Sequence, residues 1–185
     1  MRHLFVVLMV MAVPVLALAA DWQVDYEASR LGFKATQTGT PFEGLFRDWR
    51  AAIRFDPAAP EQAVIRVNIN MASVEAGDKQ RNGALPGQDW FHVSAFPEAR
   101  FVSSDVRALG NGRYEAHGTL TIRDVSRPVV LPFSLRLIDG LARARGELRL
   151  VRTDYGVGQG MWATGQWVGL DVTVMVDITA RKAEE

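Results

Sequence analysis

The chain has 185 residues, with 21 Lys or Arg and 21 Asp or Glu, so its formal net charge is zero. This balance argues against a nucleic-acid binder, because neutralising phosphate backbones requires a surplus of cations. The chain has no cysteine, which excludes disulfides, a thiol nucleophile and thiolate metal ligands. Its length suits one domain with a substantial core.

Residues 1–19 have the pattern of a secretory signal peptide. Arg2 precedes an apolar run over residues 4–18, and residues 17–19 form the small-x-small pattern of a cleavage site. The run is too short for a stable membrane span. We therefore predict a signal peptide over residues 1–19 and a mature domain over residues 20–185 that works in the periplasm. An uncleaved N-terminal anchor is the alternative.

From Trp22 onward, apolar and polar residues alternate with period two. Successive side chains of a strand point to opposite faces, so each alternating segment predicts a strand with one apolar face. Turn signals such as Gly110-Asn111-Gly112 and Asp139-Gly140 separate these segments. The alternating segments are residues 22–28, 31–36, 49–55, 63–70 and 168–179.

One stretch, residues 74–90, interrupts the alternation. It is polar and predicts a short helix around residues 78–85 that ends at Pro86-Gly87. No internal repeat or linker divides the chain. Many long antiparallel strands with one helical insertion favour an all-β closed barrel over a sandwich. A barrel of about eight strands can enclose one small ligand.

The glycine-rich stretch RTDYGVGQGMWATGQWVG covers residues 152–169. A phosphate-binding glycine loop needs a helix after it, whose N–H groups and dipole hold the anion. Here a second strand follows, which argues against nucleotide binding. The alternatives are a long hairpin loop, with glycines at positive φ, and a mobile flap at a barrel mouth with Trp162 and Trp167 as apolar lids.

Catalytic constellations are scarce in this sequence. The histidines are His3, His92 and His117, and no H-x-H, H-E-x-x-H or G-x-S-x-G spacing is present. We therefore expect no catalytic residues, no metal site and no cofactor. An enzyme remains the less favoured alternative.

Six segments, in this order and spacing, carry a family resemblance. The chain resembles the YceI-like family of periplasmic, polyisoprenoid-binding barrels over essentially the whole mature domain. The segments are DWQVDYEASRLGFKATQTG, PFEGLFRDWRAAIRFDP, VNINMASVEAGDKQRNGAL, DWFHVSAFPEARFVSSDV, HGTLTIRDVSRPVVLPF and RTDYGV.

The resemblance implies an extended antiparallel, lipocalin-like barrel with a helical insertion and a buried apolar channel. It implies a ligand with a long chain, such as an isoprenoid quinone or polyprenyl diphosphate. It also suggests a membrane b-type cytochrome as a partner. The chain departs from the family at Thr38, where relatives often have histidine, and at residues 81–85, where many have R-D-x-H-L.

Large apolar side chains are more numerous than a minimal barrel core requires, and we expect a set of them to line the cavity. The alternative is that all of them fill a packed interior. The expected lining residues are Phe33, Phe42, Phe46, Trp49, Leu85, Trp90, Phe91, Phe101, Phe133, Leu148, Leu150, Trp162 and Trp167.

Two arginines are candidates for binding a ligand head group. Arg152 shares parity with Leu148 and Leu150, so the alternation places it on the apolar face, where a charge needs a partner. Its alternative is an ion pair with Asp154 or another carboxylate. Arg81, on the predicted helix, is the second candidate. The alternative interpretation is that Arg81 is a solvated residue of that helix with no role in binding.

The sequence thus predicts a periplasmic barrel that binds and carries an isoprenoid lipid. An enzyme acting on such a lipid would need an acid–base pair inside the cavity. A filled barrel that serves as a stress or interaction protein would have no cavity.

Overall fold

The computed structural model describes residues 20–183, so the predicted signal peptide lies outside the described residues. These residues form eleven β-strands, one α-helix and short 3-10 helices. The helix is α1 (Lys79–Ala84). The strands are β1 (Ala20–Val24), β2 (Arg30–Gln37), β3 (Thr40–Phe46), β4 (Trp49–Phe55), β5 (Val64–Asn70), β6 (Val74–Glu75), β7 (Glu98–Gly110), β8 (Arg113–Ile122), β9 (Val125–Ile138), β10 (Leu141–Val151) and β11 (Asp171–Lys182).

Eight strands close a ring. Their order is β1-β4-β5-β7-β8-β9-β10-β11, and β1 also pairs with β11. β2 lies beside β11 next to β1, and β3 and β6 follow it outward. All of these pairings are antiparallel. The predicted antiparallel barrel of about eight strands is confirmed.

The two ends of the barrel differ. The hairpin end carries the predicted turns, where Asn111 (φ 55°) and Gly112 (φ 70°), and then Asp139 (φ 51°) and Gly140 (φ 75°), adopt left-handed backbone. Paired positive φ values are typical of the tight turns that match the twist of a hairpin. The loop end carries the β2–β3 and β8–β9 turns and the loop over residues 152–170.

The helical insertion forms where the sequence predicts it. Asp78 caps α1, because its side chain accepts hydrogen bonds from the N–H groups of Gln80 and Arg81. These bonds lower the pKa of the Asp78 carboxyl. The insertion packs against the β3–β4 region: Val74 pairs with Phe46. Its buried apolar side chains, which close this side of the barrel, are Met71, Val74, Leu85, Trp90 and Phe91.

Aromatic rings pack at the hairpin end. Tyr114 lies between Phe55 and Phe133, with ring centroids 5.4 Å from each. Trp22 joins them, since its Nε1–H donates to Phe55 O at 3.0 Å. These rings fill the barrel at this end.

The tight packing of Phe33 on Gly44 gives a stability test. A Cβ at position 44 would collide with the Phe33 ring, which is buried. We expect Gly44→Ala to destabilise the fold by about 2 kcal/mol, since overpacking a filled site forces strained rotamers. The measurement is urea unfolding followed by circular dichroism.

Gly83→Ala is the matched control for that variant. Gly83 lies in α1, and a Cβ there meets no atom within 4 Å. Alanine should therefore raise stability by about 0.5–1 kcal/mol through helix propensity. An unchanged unfolding midpoint for Gly44→Ala would contradict the packing described here.

Candidate functional site

The barrel of described residues encloses a cavity of about 260 Å³. It runs from Trp22, near the hairpin end, to Trp90 and Val168 at the loop end. Of its 40 lining residues, only Arg145 and Arg152 are charged. An interior this apolar and elongated suits a hydrocarbon chain rather than a polar metabolite.

Most of the predicted cavity residues lie in this wall. They come from the inward faces of four strands of the ring, from β2 and β3, and from the insertion. The expected residues that line the cavity are Phe33, Phe42, Phe46, Trp49, Leu85, Trp90, Phe91, Phe101, Phe133, Leu148 and Leu150.

Two of the predicted lining residues, Trp162 and Trp167, lie outside the wall. Trp162 packs against Trp90, with ring centroids 5.5 Å apart. Trp167 is 44% exposed, and its backbone carbonyl accepts a hydrogen bond from Thr38 N–H. Both belong to an irregular loop, where strand alternation does not decide which way a side chain points.

Strand parity correctly places Arg152 in the interior, since the residue is 5% exposed. Its guanidinium donates to five backbone carbonyls of the same loop region, which accounts for all five of its N–H groups. Nε donates to Gly169 O (2.9 Å), Nη1 to Val157 O (2.8 Å) and Gly158 O (3.3 Å), and Nη2 to Trp162 O (2.5 Å) and Val168 O (2.8 Å).

This geometry supports neither role expected for Arg152. Asp154 is exposed, and no carboxylate among the described residues pairs with Arg152. With every N–H engaged, the guanidinium has no donor left for a head group. Burial lowers the pKa of Arg152, but an arginine side chain stays protonated. Arg152 is therefore the fixed centre of the loop.

The glycine-rich stretch is a hairpin loop folded around that cation. Gly156, Gly158 and Gly160 all have positive φ, at 67°, 80° and 59°. A side chain at position 158 would collide with the Arg152 guanidinium. Carbonyl oxygens converge on the centre of this loop, whereas a phosphate site presents N–H groups. The stretch has the polarity of a cation-binding loop, which agrees with the rejection of nucleotide binding.

Arg81, the second head-group candidate, lies against the cavity wall. Its Nε donates to Ala76 O (2.9 Å) and its Nη1 to Gln37 Oε1 (3.0 Å). The guanidinium carbon lies 4.6 Å from the centroid of Phe42, a lining residue. Within residues 20–183, its Nη2 donates to no group, so Arg81 retains free donors beside the cavity.

Acid–base groups do not converge on the cavity. No histidine or carboxylate belongs to the wall that the described residues form. His117 lies 3.3 Å from Glu115 on a polar face of β8, and His92 packs on Phe96. In the same range, no cluster of three His, Asp or Glu side chains could hold a metal ion. No helix from residue 20 to residue 183 is long and apolar enough to cross a membrane.

Other lining residues were missed by the sequence reasoning. Val172, Val174 and Val176 share one face of the alternating strand β11, so the sequence could have identified them as cavity-lining residues. Val168 continues the same alternation, but Val157 had no such signal, because its burial depends on how the loop folds around Arg152.

The fold and the cavity define a class: closed eight-stranded antiparallel barrels with an apolar interior channel. Within this class, the chain belongs to the YceI-like family, whose family model, described as the YceI-like domain, matches residues 22–180.

Relatives span most of the chain. It is 33% identical over 166 residues to a UPF0312 protein of Pseudomonas syringae pv. tomato, covering 85% of this chain and 86% of the relative. It is 30% identical over 169 residues to a UPF0312 protein of Azotobacter vinelandii, covering 85% and 87%.

Solved structures share the barrel. BcnA of Burkholderia cenocepacia matches with a TM-score of 0.82 and 30% identity, over 85% of this chain and 99% of that one. The YCEI protein of Campylobacter jejuni matches with a TM-score of 0.64 and 26% identity, over 76% and 85%. A polyisoprenoid binding domain from Saccharophagus degradans matches with a TM-score of 0.68 and 16% identity, over 90% and 99%, which shows likeness of fold alone.

The five carbonyl contacts of Arg152 predict a stability role. Arg152→Gln should lower the free energy of unfolding by about 3 kcal/mol, because buried carbonyls lose charged donors. It should also weaken the binding of a polyprenyl diphosphate and of a quinone of equal chain length by similar factors. Urea unfolding and titration of both lipids provide the measurements.

Arg149→Gln on the same strand is the control, because Arg149 is exposed. We expect it to change stability by less than about 0.5 kcal/mol. A stable Arg152→Gln protein that loses affinity for the diphosphate alone would restore the head-group role of Arg152.

Proposed function

We propose that the protein binds and carries a long-chain isoprenoid lipid, such as an isoprenoid quinone or a polyprenyl diphosphate, in the periplasm. The observation that carries this proposal is the cavity, where 38 of the 40 lining residues in the described chain are uncharged. Each methylene moved from water into such an interior contributes about 0.8 kcal/mol. Membership of the YceI-like family and the fold shared with a polyisoprenoid binding domain support it.

A carrier suits this cavity better than an enzyme that acts on the lipid. Such an enzyme needs an acid and a base within hydrogen-bond reach of the reacting atoms. The charged groups in the described wall are two arginines, and all five N–H groups of Arg152 already bind the loop. The cavity therefore favours reversible binding.

We further propose Arg81 as the contact for a polar or anionic head group, because its free donors lie beside Phe42. If this contact forms, Arg81→Gln should weaken the binding of a diphosphate ligand more than that of a neutral quinone, since a charge-assisted hydrogen bond is worth about 1.5–3 kcal/mol.

If the ligand is a quinone, a membrane b-type cytochrome is the partner that we propose for the transfer.

The cavity predicts that protein purified from its own periplasm carries the bound ligand. Organic extraction and mass spectrometry should release an isoprenoid lipid from the wild type. Val174→Trp places a large ring in the lumen, because Val174 lines the cavity. It should lower lipid affinity at least about tenfold by occupying space that the chain needs.

Thr173→Trp is the matched control for Val174→Trp. Thr173 is the preceding residue of β11, and its side chain points to the other face of the sheet. This variant should bind lipid as the wild type does. Undiminished binding by Val174→Trp, or an extract without isoprenoid, would refute a lumenal lipid site.

The proposed export also has a direct test. The signal-like pattern of residues 1–19 predicts that intact-mass measurement of the exported protein finds a chain starting at Ala20 or Asp21. A mass that includes residues 1–19 would show an anchored protein and would change the proposed localisation.

A further inference from the structure

β9 and β10 pair along only part of their length. Their pairing runs from Leu141 opposite Ile138 to Gly146 opposite Phe133, and then stops. On their other edges, β9 stays paired with β8 as far as Val125, and β10 stays paired with β11 as far as Val151. The ring thus has an unpaired section in its wall, which we call the β9–β10 window.

Two prolines explain why the pairing stops. Backbone N–H groups alternate between the two edges of a strand. In β9, Leu135 N–H donates to Gly112 O on the β8 side, so even-numbered residues direct their N–H groups toward β10. Pro128 and Pro132 occupy even positions and have no N–H to donate. The β9 edge that faces β10 therefore lacks two of its donors beyond the last pair.

The window has defined limits. At one limit lies Gly146, where a Cβ would come within 2.6 Å of Pro132 O. At the other, Arg127 Nε donates to Asp154 O at 2.8 Å, which ties β9 to the end of β10. Between them lie residues 128–132 of β9, a span of about 16 Å at the usual rise per strand residue.

The window leads to the cavity. Arg145 pairs with Asp177 on the outer face of the barrel (3.0 Å), yet it also lines the cavity. The inward side chains of Leu131, Leu148 and Leu150, which flank the window, line the cavity as well. The window therefore lies directly over the cavity.

Both ends of the barrel are occupied by packed side chains. Trp22, Phe55 and Tyr114 fill the hairpin end. The loop held by Arg152 covers the other end, where Trp162 packs over Trp90. A chain that enters at either end would have to displace these groups, whereas the window interrupts only the backbone pairing of two strands.

We propose that the β9–β10 window is the portal through which the apolar chain of the ligand enters the cavity sideways. This inference rests on the proposed function, because it assigns a route to the lipid proposed above. The exposed Val130 on β9 and Val151 on β10 provide apolar lips for a hydrocarbon chain.

Cross-linking the window tests the portal. Val130 and Arg149 would face each other if the β9–β10 register continued, and the chain has no cysteine to interfere. We expect the Val130→Cys/Arg149→Cys pair, joined by a short bismaleimide, to slow both association and dissociation of a nitrobenzoxadiazole-labelled geranylgeranyl lipid. The expected slowing is about tenfold or more, with little change in Kd, because transfer then requires local unfolding elsewhere.

Arg136→Cys/Arg143→Cys is the matched control, since these residues already face each other in the paired half of the same strands. Linking them should leave both rates unchanged. Pro128→Val/Pro132→Val gives a second test that needs no cross-linker. The restored N–H donors should close the window and slow association and dissociation of the labelled lipid. Pro41→Val in β3 is the control and should leave both rates unchanged. Wild-type rates in the linked and valine proteins would overturn the portal.

Hydrogen exchange tests the window without any ligand. The amides of Val130, Glu147 and Arg149 should exchange fast, because they point into the unpaired section, while those of Arg143 and Arg145 should be protected. Protection at the first three positions would refute the window itself. Fast exchange there, with no binding of the labelled lipid by the wild type, would instead refute the proposed ligand and with it the portal's role.

Discussion

One buried cation organises the loop end of the barrel. Each N–H of Arg152 meets a backbone carbonyl between Val157 and Gly169, so the charge is balanced by peptide dipoles rather than by a carboxylate. Removing such a charge from water is costly unless its donors are satisfied. The loop therefore has one conformation that satisfies them, and this conformation fixes Val157 and Val168 in the cavity wall.

The cavity follows from the small or aliphatic residues that face inward along the strands. On β10 and β11 the inward side chains include Ala142, Ala144, Gly146 and Val174, which are too short to meet across the lumen. This distribution leaves a long apolar space in the middle, and the prolines of β9 interrupt the wall beside it.

The sequence predicted most of the fold, because alternation and turn residues act locally. The hairpin at Asn111, the short helix around residues 78–85 and the inward face carrying Leu148 were all predicted in this way. What could not be predicted depends on groups far apart in the chain. Strand parity gave the burial of Arg152 but not its carbonyl partners, and the loop aromatics Trp162 and Trp167 follow no strand rule. The incomplete pairing of β9 could not be predicted, because it depends on how β8, β9 and β10 are aligned with one another.

The closure of the ring has a consequence for folding. The first strand, β1, meets the last, β11, through Trp22 opposite Lys182, Gln23 opposite Arg181 and Val24 opposite Ala180. These are among the longest sequence separations that the domain contains, and folding slows as contacts become less local. A chain whose synthesis is incomplete cannot form them, so the barrel closes only when its final strand is free. Until then the apolar inner faces are open to chaperones and to other unfinished chains.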